Sequence, residues 1–306
     1  DPSGIVFDSY RYTLDAIGNR TRIIEASGRA VDYVYDELYR LTQEAIDDNV
    51  NGDRNISYLY DLVGNRMRRD DSAEGITTYS YDDNDRLLQE AINGIATAYR
   101  YDDNGNTVAK SVNGVDKVFY DWDVENRLIA VDTNANGIND VAYEYDADGI
   151  RVSKTVNPQA SADVTRFLID ANRPYQEVLE EYTPGGIIKV SYVHGLDLIS
   201  QNSHEETGKS FYHVDGLGST RALSDELGIV TDRYIYDAFG QTIGQVGATG
   251  NVYLFAGEQR DLATGLDYLR ARYMSPSVGR FVSRDTFEGF TASPASLHKY
   301  LYANAN

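Results

Sequence analysis

Along most of the chain, aromatic or aliphatic residues alternate with polar ones, and each alternating run stops at an acidic residue followed by turn formers. The recurring unit reads Tyr-x-Tyr-Asp, then a Gly/Asn turn, then Arg. It stands at Tyr33-Val34-Tyr35-Asp36, Tyr58-Leu59-Tyr60-Asp61, Tyr79-Ser80-Tyr81-Asp82, Tyr99-Arg100-Tyr101-Asp102, Tyr143-Glu144-Tyr145-Asp146 and Tyr234-Ile235-Tyr236-Asp237, with variants at Tyr10-Arg11-Tyr12 and Tyr120-Asp121-Trp122-Asp123. Successive marker acids from Asp15 to Asp146 lie 21, 25, 21, 20, 21 and 23 residues apart, and Asp170, His194 and Asp215 continue the beat. In Tyr-x-Tyr both rings leave one face of a strand, because side chains alternate with period two, and the Asp that follows bonds its own downstream backbone as a turn begins. Segments such as Arg22-Ile23-Ile24-Glu25 and Arg86-Leu87-Leu88-Gln89 then return as the partner strand. Each period therefore predicts one β-hairpin. A lone hairpin is marginal in water, so neighbours are expected to pair edge to edge. The predicted class is all-β: repeated β-hairpins with a period of about 21 residues forming a long spiralling antiparallel sheet, with little helix. Tyr at the repeated positions predicts packed rings whose hydroxyls reach water.

Composition sharpens this picture. The 306 residues hold 25 Tyr, 26 Gly and 6 Pro, an alphabet of strands and turns. With 28 basic against 48 acidic residues the formal charge is −20, which repels phosphate backbones, so nucleic acid is not an expected partner. No apolar run is long enough for a membrane-spanning helix. Cys is absent, which removes disulfides, thiolate metal sites and Cys nucleophiles.

An ordered C-terminal series carries a more specific signal. It comprises Phe211-Tyr212-His213-Val214-Asp215-Gly216-Leu217-Gly218-Ser219-Thr220-Arg221, Tyr234 to Gly240, Phe255-Ala256-Gly257-Glu258, Gly265-Leu266-Asp267-Tyr268-Leu269-Arg270-Ala271-Arg272-Tyr273, and Gly279-Arg280-Phe281-Val282-Ser283-Arg284-Asp285. With the Tyr-Asp repeats, it resembles the rearrangement-hotspot (Rhs) and YD-repeat proteins, whose core domain also occurs in the C component of insecticidal toxin complexes and whose repeats have relatives in teneurins. The resemblance implies part of a hollow YD-repeat shell or barrel, divided into a YD-repeat β-strip at 1–210 and an Rhs-associated core at 211–306 that acts as a C-terminal plug. It implies a secreted or cell-surface bacterial protein that encloses and helps deliver a C-terminal toxin or effector expected downstream of Asn306. Cell-surface adhesion or glycan or protein binding without cargo is the alternative. Single-turnover aspartate self-cleavage by the core is a further one. Asp1-Pro2-Ser3-Gly4 has the letters of the family's terminal cleavage element, but at this end it reads as the Asp and turn of a repeat.

Three sets of side chains are candidates for chemistry. Arg284 and Asp285 match the position where the family places an Arg beside an acid used in self-cleavage. An aspartic mechanism needs a second carboxylate, and the following residues are Thr286-Phe287-Glu288-Gly289 rather than Pro-x-Gly. Asp132, Asn134, Asn136 and Asp140 place oxygens at the first, third, fifth and ninth positions of a loop with Gly137 sixth, the front of a calcium loop. Asp47, Asn49 and Asn51 repeat the spacing more weakly. Both loops have Tyr where such loops carry Glu, and no cofactor is required, so Ca2+ competes with ordinary Asp/Asn/Gly turns. His213, Asp215 and Ser219 carry hydrolase letters but lie within one strand and turn without a Gly-x-Ser-x-Gly elbow. His194, His204 and His298 lack metal-ligand spacing.

Overall fold

The computed structural model describes residues 8–173, 175–204 and 208–305, and Asp1-Pro2-Ser3-Gly4 lies outside them. Two compact units divide the chain, Asp1–Lys117 with Arg280–Asn306, and Val118–Gly279. The first carries β1 (Tyr10–Leu14), β2 (Arg20–Glu25), β3 (Ala30–Tyr35), β4 (Leu41–Asp47), β5 (Arg54–Tyr60), β6 (Arg66–Asp71), β7 (Gly75–Tyr81), β8 (Leu87–Ile92), β9 (Ile95–Tyr101) and β10 (Thr107–Val112). From β1 to β9, each pairs antiparallel with the next strand in sequence.

The strand β11 (Val115–Trp122) enters the second unit. There follow β12 (Leu128–Asp132), β13 (Val141–Tyr145), β14 (Arg151–Val156), β15 (Asp163–Asp170), β16 (Glu177–Tyr182), β17 (Ile188–His194), β18 (Leu198–Ser203), β19 (Lys209–Val214), β20 (Thr220–Ser224), β21 (Val230–Tyr236) and β22 (Thr242–Val246). Again each pairs with its sequence neighbour. A small separate sheet follows, β23 (Gln259–Asp261), β24 (Leu266–Leu269) and β25 (Arg272–Ser275). Helical geometry among the described residues is confined to short 3-10 turns at Phe255–Gly257, Pro294–Leu297 and Ala303–Ala305. The chain is all-β and built of successive hairpins, as the repeat predicts.

One five-residue turn recurs at the marker acids. The Asp61 N–H donates to the Asn65 carbonyl at 2.9 Å, while its carboxylate accepts the N–H groups of Val63, Gly64 and Asn65. The same closure holds at Asp36, Asp82, Asp123, Asp146 and Asp237, where the marker carboxylate takes the N–H groups two and four residues on. The fourth turn residue has positive φ, which Gly64 and Gly105 adopt without a Cβ penalty. Tyr39, Asp85 and Asn126 take that conformation in the same slot, held by the two flanking backbone bonds.

The fifth turn residue closes the carboxylate's other oxygen. Arg40, Arg86 and Arg127 donate Nε to their own Asp at 2.7, 2.6 and 2.6 Å, and Asn19, Asn65 and Asn106 do so through Nδ2. The Arg guanidinium then lies over the second Tyr of the next repeat, Arg40 on Tyr60 at 5.1 Å, Arg86 on Tyr101 at 5.6 Å and Arg127 on Tyr145 at 5.4 Å. Each of these Arg side chains thus joins the Asp of its own turn to a Tyr of the next repeat.

The Tyr hydroxyls differ from expectation. The second Tyr of each motif does not present its hydroxyl to water but donates it to a backbone carbonyl one repeat earlier. These bonds are Tyr35 to Arg20, Tyr60 to Leu41, Tyr81 to Arg66, Tyr101 to Leu87, Tyr145 to Leu128 and Tyr236 to Thr220, at 2.7–3.0 Å. The register shifts just before this Tyr in each strand pair, for example between Val34 and Tyr35, which faces Leu41, and the carbonyl of that facing residue is the one the next repeat's Tyr, here Tyr60, takes up. An unpaired backbone carbonyl is costly to bury, so the phenol supplies its donor. Ile56 and Tyr58 are buried on one strand face while Leu59 between the Tyr pair is exposed, so the Tyr-bearing face carries the core.

Candidate functional site

Arg151 opens β14 five residues after the marker Asp146, the slot held by Arg20 and Arg66 in other repeats. Its side chain is 5 % exposed and its guanidinium lies 4.1 Å from the Tyr268 ring, with Phe167, Tyr143 and Tyr273 around it. Nη1 donates to the Tyr273 hydroxyl at 3.1 Å and Nη2 to Gln259 Oε1 at 2.7 Å, while Nε has no hydrogen-bond partner among the described residues. Next to it, the Asp261 carboxylate accepts Lys154 Nζ at 2.9 Å and the Tyr143 hydroxyl at 2.7 Å. Burial pushes the Asp261 carboxyl up, but the Lys154 ammonium and the Tyr143 hydroxyl outweigh it and hold the group below the usual carboxylate range. Burial pushes the Tyr273 phenol up to about 12. These bonds fasten the small β23–β25 sheet to β13 and β14.

A cavity of about 460 Å³ adjoins this cluster, and Arg151 and Tyr268 form part of its wall. Arg270, in the turn between β24 and β25, has a φ of 57° and donates Nη1 to both oxygens of Glu258 at 2.6 and 2.7 Å. Burial pushes the Glu258 carboxyl up, with Arg270 opposing. The Arg270 guanidinium sits 5.5 Å from the ring of Tyr175, which is 72 % exposed. On the β16 side, Glu177 Oε2 has Arg173 Nη1 at 2.9 Å and His194 Nδ1 at 3.4 Å but no aligned hydrogen bond. His194 Nε2 faces the Val178 carbonyl at 2.9 Å. None of these cavity residues carried a catalytic or binding pattern in the sequence. The legible hint was Arg151 in its repeat slot, together with the Glu258 and Arg270 motifs.

The candidates read from sequence fall elsewhere. Asp285 lies in the first unit, its N–H bonded to the Lys299 carbonyl at 2.9 Å and its Oδ1 accepting the Phe287 N–H at 2.9 Å. Arg284 is exposed, and its stem packs on the backbone of Gly105, where a Cβ would meet Arg284 Cβ at 3.1 Å. Glu288 pairs with Lys299 at 3.6 Å. In the first candidate calcium loop, Asp132 accepts the N–H groups of Asn134, Asn136 and Gly137, and Asp140 accepts Thr133 N–H, the Thr133 hydroxyl and Asn134 Nδ2. Asn136 Oδ1 accepts the Ile138 N–H. These oxygens are thus used by the loop's own donors. In the second loop, Asp47, Asn49 and Asn51 are exposed, and the organising carboxylate is Asp48, bonded to Val50 N, Asn51 N and Asn51 Nδ2. His213 Nε2 meets Ser224 Oγ at 2.8 Å, Asp215 closes its turn and Ser219 Oγ accepts the Ala256 N–H, so each of the three is engaged with a different partner. Among the described residues no three of His, Asp or Glu converge on a metal-binding point.

The chain matches the teneurin YD-shell family over residues 10–306. It is 34% identical over 193 residues to the tRNA nuclease WapA of Bacillus subtilis (strain 168), covering 62% of this chain and 8% of that protein. It is 26% identical over 191 residues to the double-stranded DNA deaminase toxin A of Burkholderia cenocepacia (strain H111), covering 54% of this chain and 13% of that protein. The chain therefore spans a small part of the length of these relatives. Among solved structures it is similar to TcdB2-TccC3, at 18% identity and a TM-score of 0.49, over 97% of this chain and 19% of that one. With Tyr-Asp hairpins running through both units and the family matched almost end to end, the chain belongs to the teneurin YD-shell family.

Proposed function

We propose that this chain is a structural part of a secreted or cell-surface YD-repeat shell, which encloses and helps deliver a C-terminal effector. The observation that carries the reading is that one hairpin-built stretch is shared with relatives named for different activities, a tRNA nuclease and a DNA deaminase toxin. What such proteins have in common is then a carrier rather than a catalyst. A charge of −20 accords with that, since a chain of this sign is unsuited to holding nucleic acid itself. In the full-length gene product, limited proteolysis is expected to spare a downstream segment while the repeats are folded and to degrade it once they are unfolded. Equal digestion in both conditions refutes enclosure.

Self-cleavage at Asp285 is a second reading, favoured by the placement of Asp285 in an ordered, partly exposed turn. The intact mass of the full-length product is expected to show two polypeptides, and that of Asp285→Asn a single one. A single polypeptide in both assigns Asp285 to turn formation alone.

A further inference from the structure

We propose that Lys154 and Asp261 are an isopeptide pair, condensing with loss of water into an amide that staples β14 to β23. Both residues belong to the second unit. Lys154 Nζ stands 2.9 Å from Asp261 Oδ1, the Asp261 side chain is fully buried, and that of Lys154 is largely so. The pairs Lys189–Asp163 and Lys299–Glu288 differ, since their acids are 64 % and 84 % exposed. Water competes for both members of an exposed pair. A buried pair instead holds amine and carboxyl together, and because Oδ1 is bonded to Cγ, Nζ already lies beside the carbon it would attack.

The carboxyl group is set for acyl transfer. Oδ1 accepts the backbone N–H groups of Ala263 at 3.0 Å and Thr264 at 3.3 Å as well as Nζ. These bonds close the Asp261 turn, so the two donors are fixed before any reaction, and they stabilise the negative charge that gathers on Oδ1 when an amine adds to Cγ. Oδ2 accepts the Tyr143 hydroxyl at 2.7 Å. Tyr143 is directly opposite Lys154 in the β13–β14 register, so phenol and amine leave one face of the sheet side by side. Burial and the Asp261 charge push the Tyr143 phenol well above its ordinary range, which keeps it a donor.

The ion pair is the resting form, and burial narrows its advantage over the neutral amine and acid. The same dryness pushes up the Glu181 carboxyl on β16, against the opposing Tyr192 hydroxyl, Arg151 and Lys154. Once Nζ has passed a proton to the carboxyl group, its lone pair forms the bond to Cγ and the Cγ–Oδ2 bond breaks. Two of the three ammonium protons leave on Oδ2 as water, handed on through the Tyr143 hydroxyl, which gives its proton to Oδ2 and regains one from Nζ. The third remains as the amide N–H, and Oδ1 becomes the amide oxygen beneath the Ala263 and Thr264 N–H groups. No oxidant is consumed, so a chain without Cys gains a covalent link. The link joins residues 107 apart and stabilises by restricting the unfolded chain, as a disulfide across so long a loop does. It would anchor a sheet whose strands have only three or four residues.

The test weighs the intact chain, folded and then denatured, by mass spectrometry beside Lys154→Arg and Asp261→Ala. Lys154→Arg keeps a cation for the ion pair but offers no nucleophilic amine. The parent is expected about 18 Da, one water, below its sequence mass, and both variants at theirs. Trypsin is expected to leave the parent uncut after Lys154 and to release one branched peptide joining Lys154 to Asp261. The proposal is overturned if the parent has its sequence mass, or if the deficit survives in either variant, which assigns it to a succinimide at a site such as Asp215-Gly216. A deficit in the parent without the branched peptide overturns it equally.

Discussion

Acidification is expected to destabilise the first unit through one side chain. His298 is buried, with Nε2 2.9 Å from Asn65 Oδ1 and Nδ1 accepting the N–H groups of Tyr300 at 3.1 Å and Leu301 at 3.2 Å. Asn65 Oδ1 also accepts Arg280 Nη1 at 2.9 Å. An Nδ1 that accepts two N–H groups carries no proton, so the ring is neutral with its proton on Nε2. Protonating Nδ1 would break both bonds and set a buried cation near Arg280, with Asp61 a partial offset. Burial and Arg280 together hold the imidazole down to about 3, against an ordinary value of 6.5. The unfolded chain therefore takes up this proton as pH falls through about 6.5, while the folded chain takes it up only near 3. Stability from this group is complete above about pH 6.5 and is lost on acidification, at about 1.4 kcal/mol per pH unit, reaching roughly 2 kcal/mol at pH 5. Urea unfolding of the intact chain at pH 7.5 and pH 5 measures the drop, with hydrogen exchange at the Tyr300 and Leu301 amides as a local probe. His298→Gln keeps an N–H donor but does not titrate, so it should be less stable at pH 7.5 yet lose about 2 kcal/mol less on acidification. An identical pH-dependent loss in parent and variant refutes the reasoning.

Two other perturbations follow from the same packing. Arg151→Met fills similar space but leaves Gln259 Oε1 without its donor and removes one of the two partners of the Tyr273 hydroxyl, and is expected to cost about 2–4 kcal/mol in thermal or urea unfolding. Arg151→Lys should recover little of this, because an ammonium cannot reach both acceptors as a fork does. Calcium binding at the Asp132 loop would require Asp140 to release Thr133 and Asn134. Its signature is a calcium-dependent rise in thermal midpoint that is lost in Asp140→Asn, and an unchanged midpoint in the parent removes the site.

What could be read in the sequence was local. The marker Asp fixes its turn through N–H groups two and four residues on, as at Asp36 and Asp146, and the Arg or Asn that closes the carboxylate stands in the same five residues. Alternation then assigns the strands, and their order along the chain assigns their partners. The acceptor of each Tyr hydroxyl was not legible, since it lies at a register shift in the preceding repeat, as Leu41 does opposite Tyr35. The cavity was hidden for a stronger reason. Its walls combine Arg151 with Gln259 and Tyr268, more than a hundred residues away, and His298 likewise meets Asn65 from a distant part of the sequence. Turn chemistry is decided by atoms a few bonds apart and so is written in the repeat itself. The surroundings of Arg151 and His298 are decided by which distant strands and loops pack together, and burial there, rather than residue type, sets whether a polar atom is paired, neutral or without a partner.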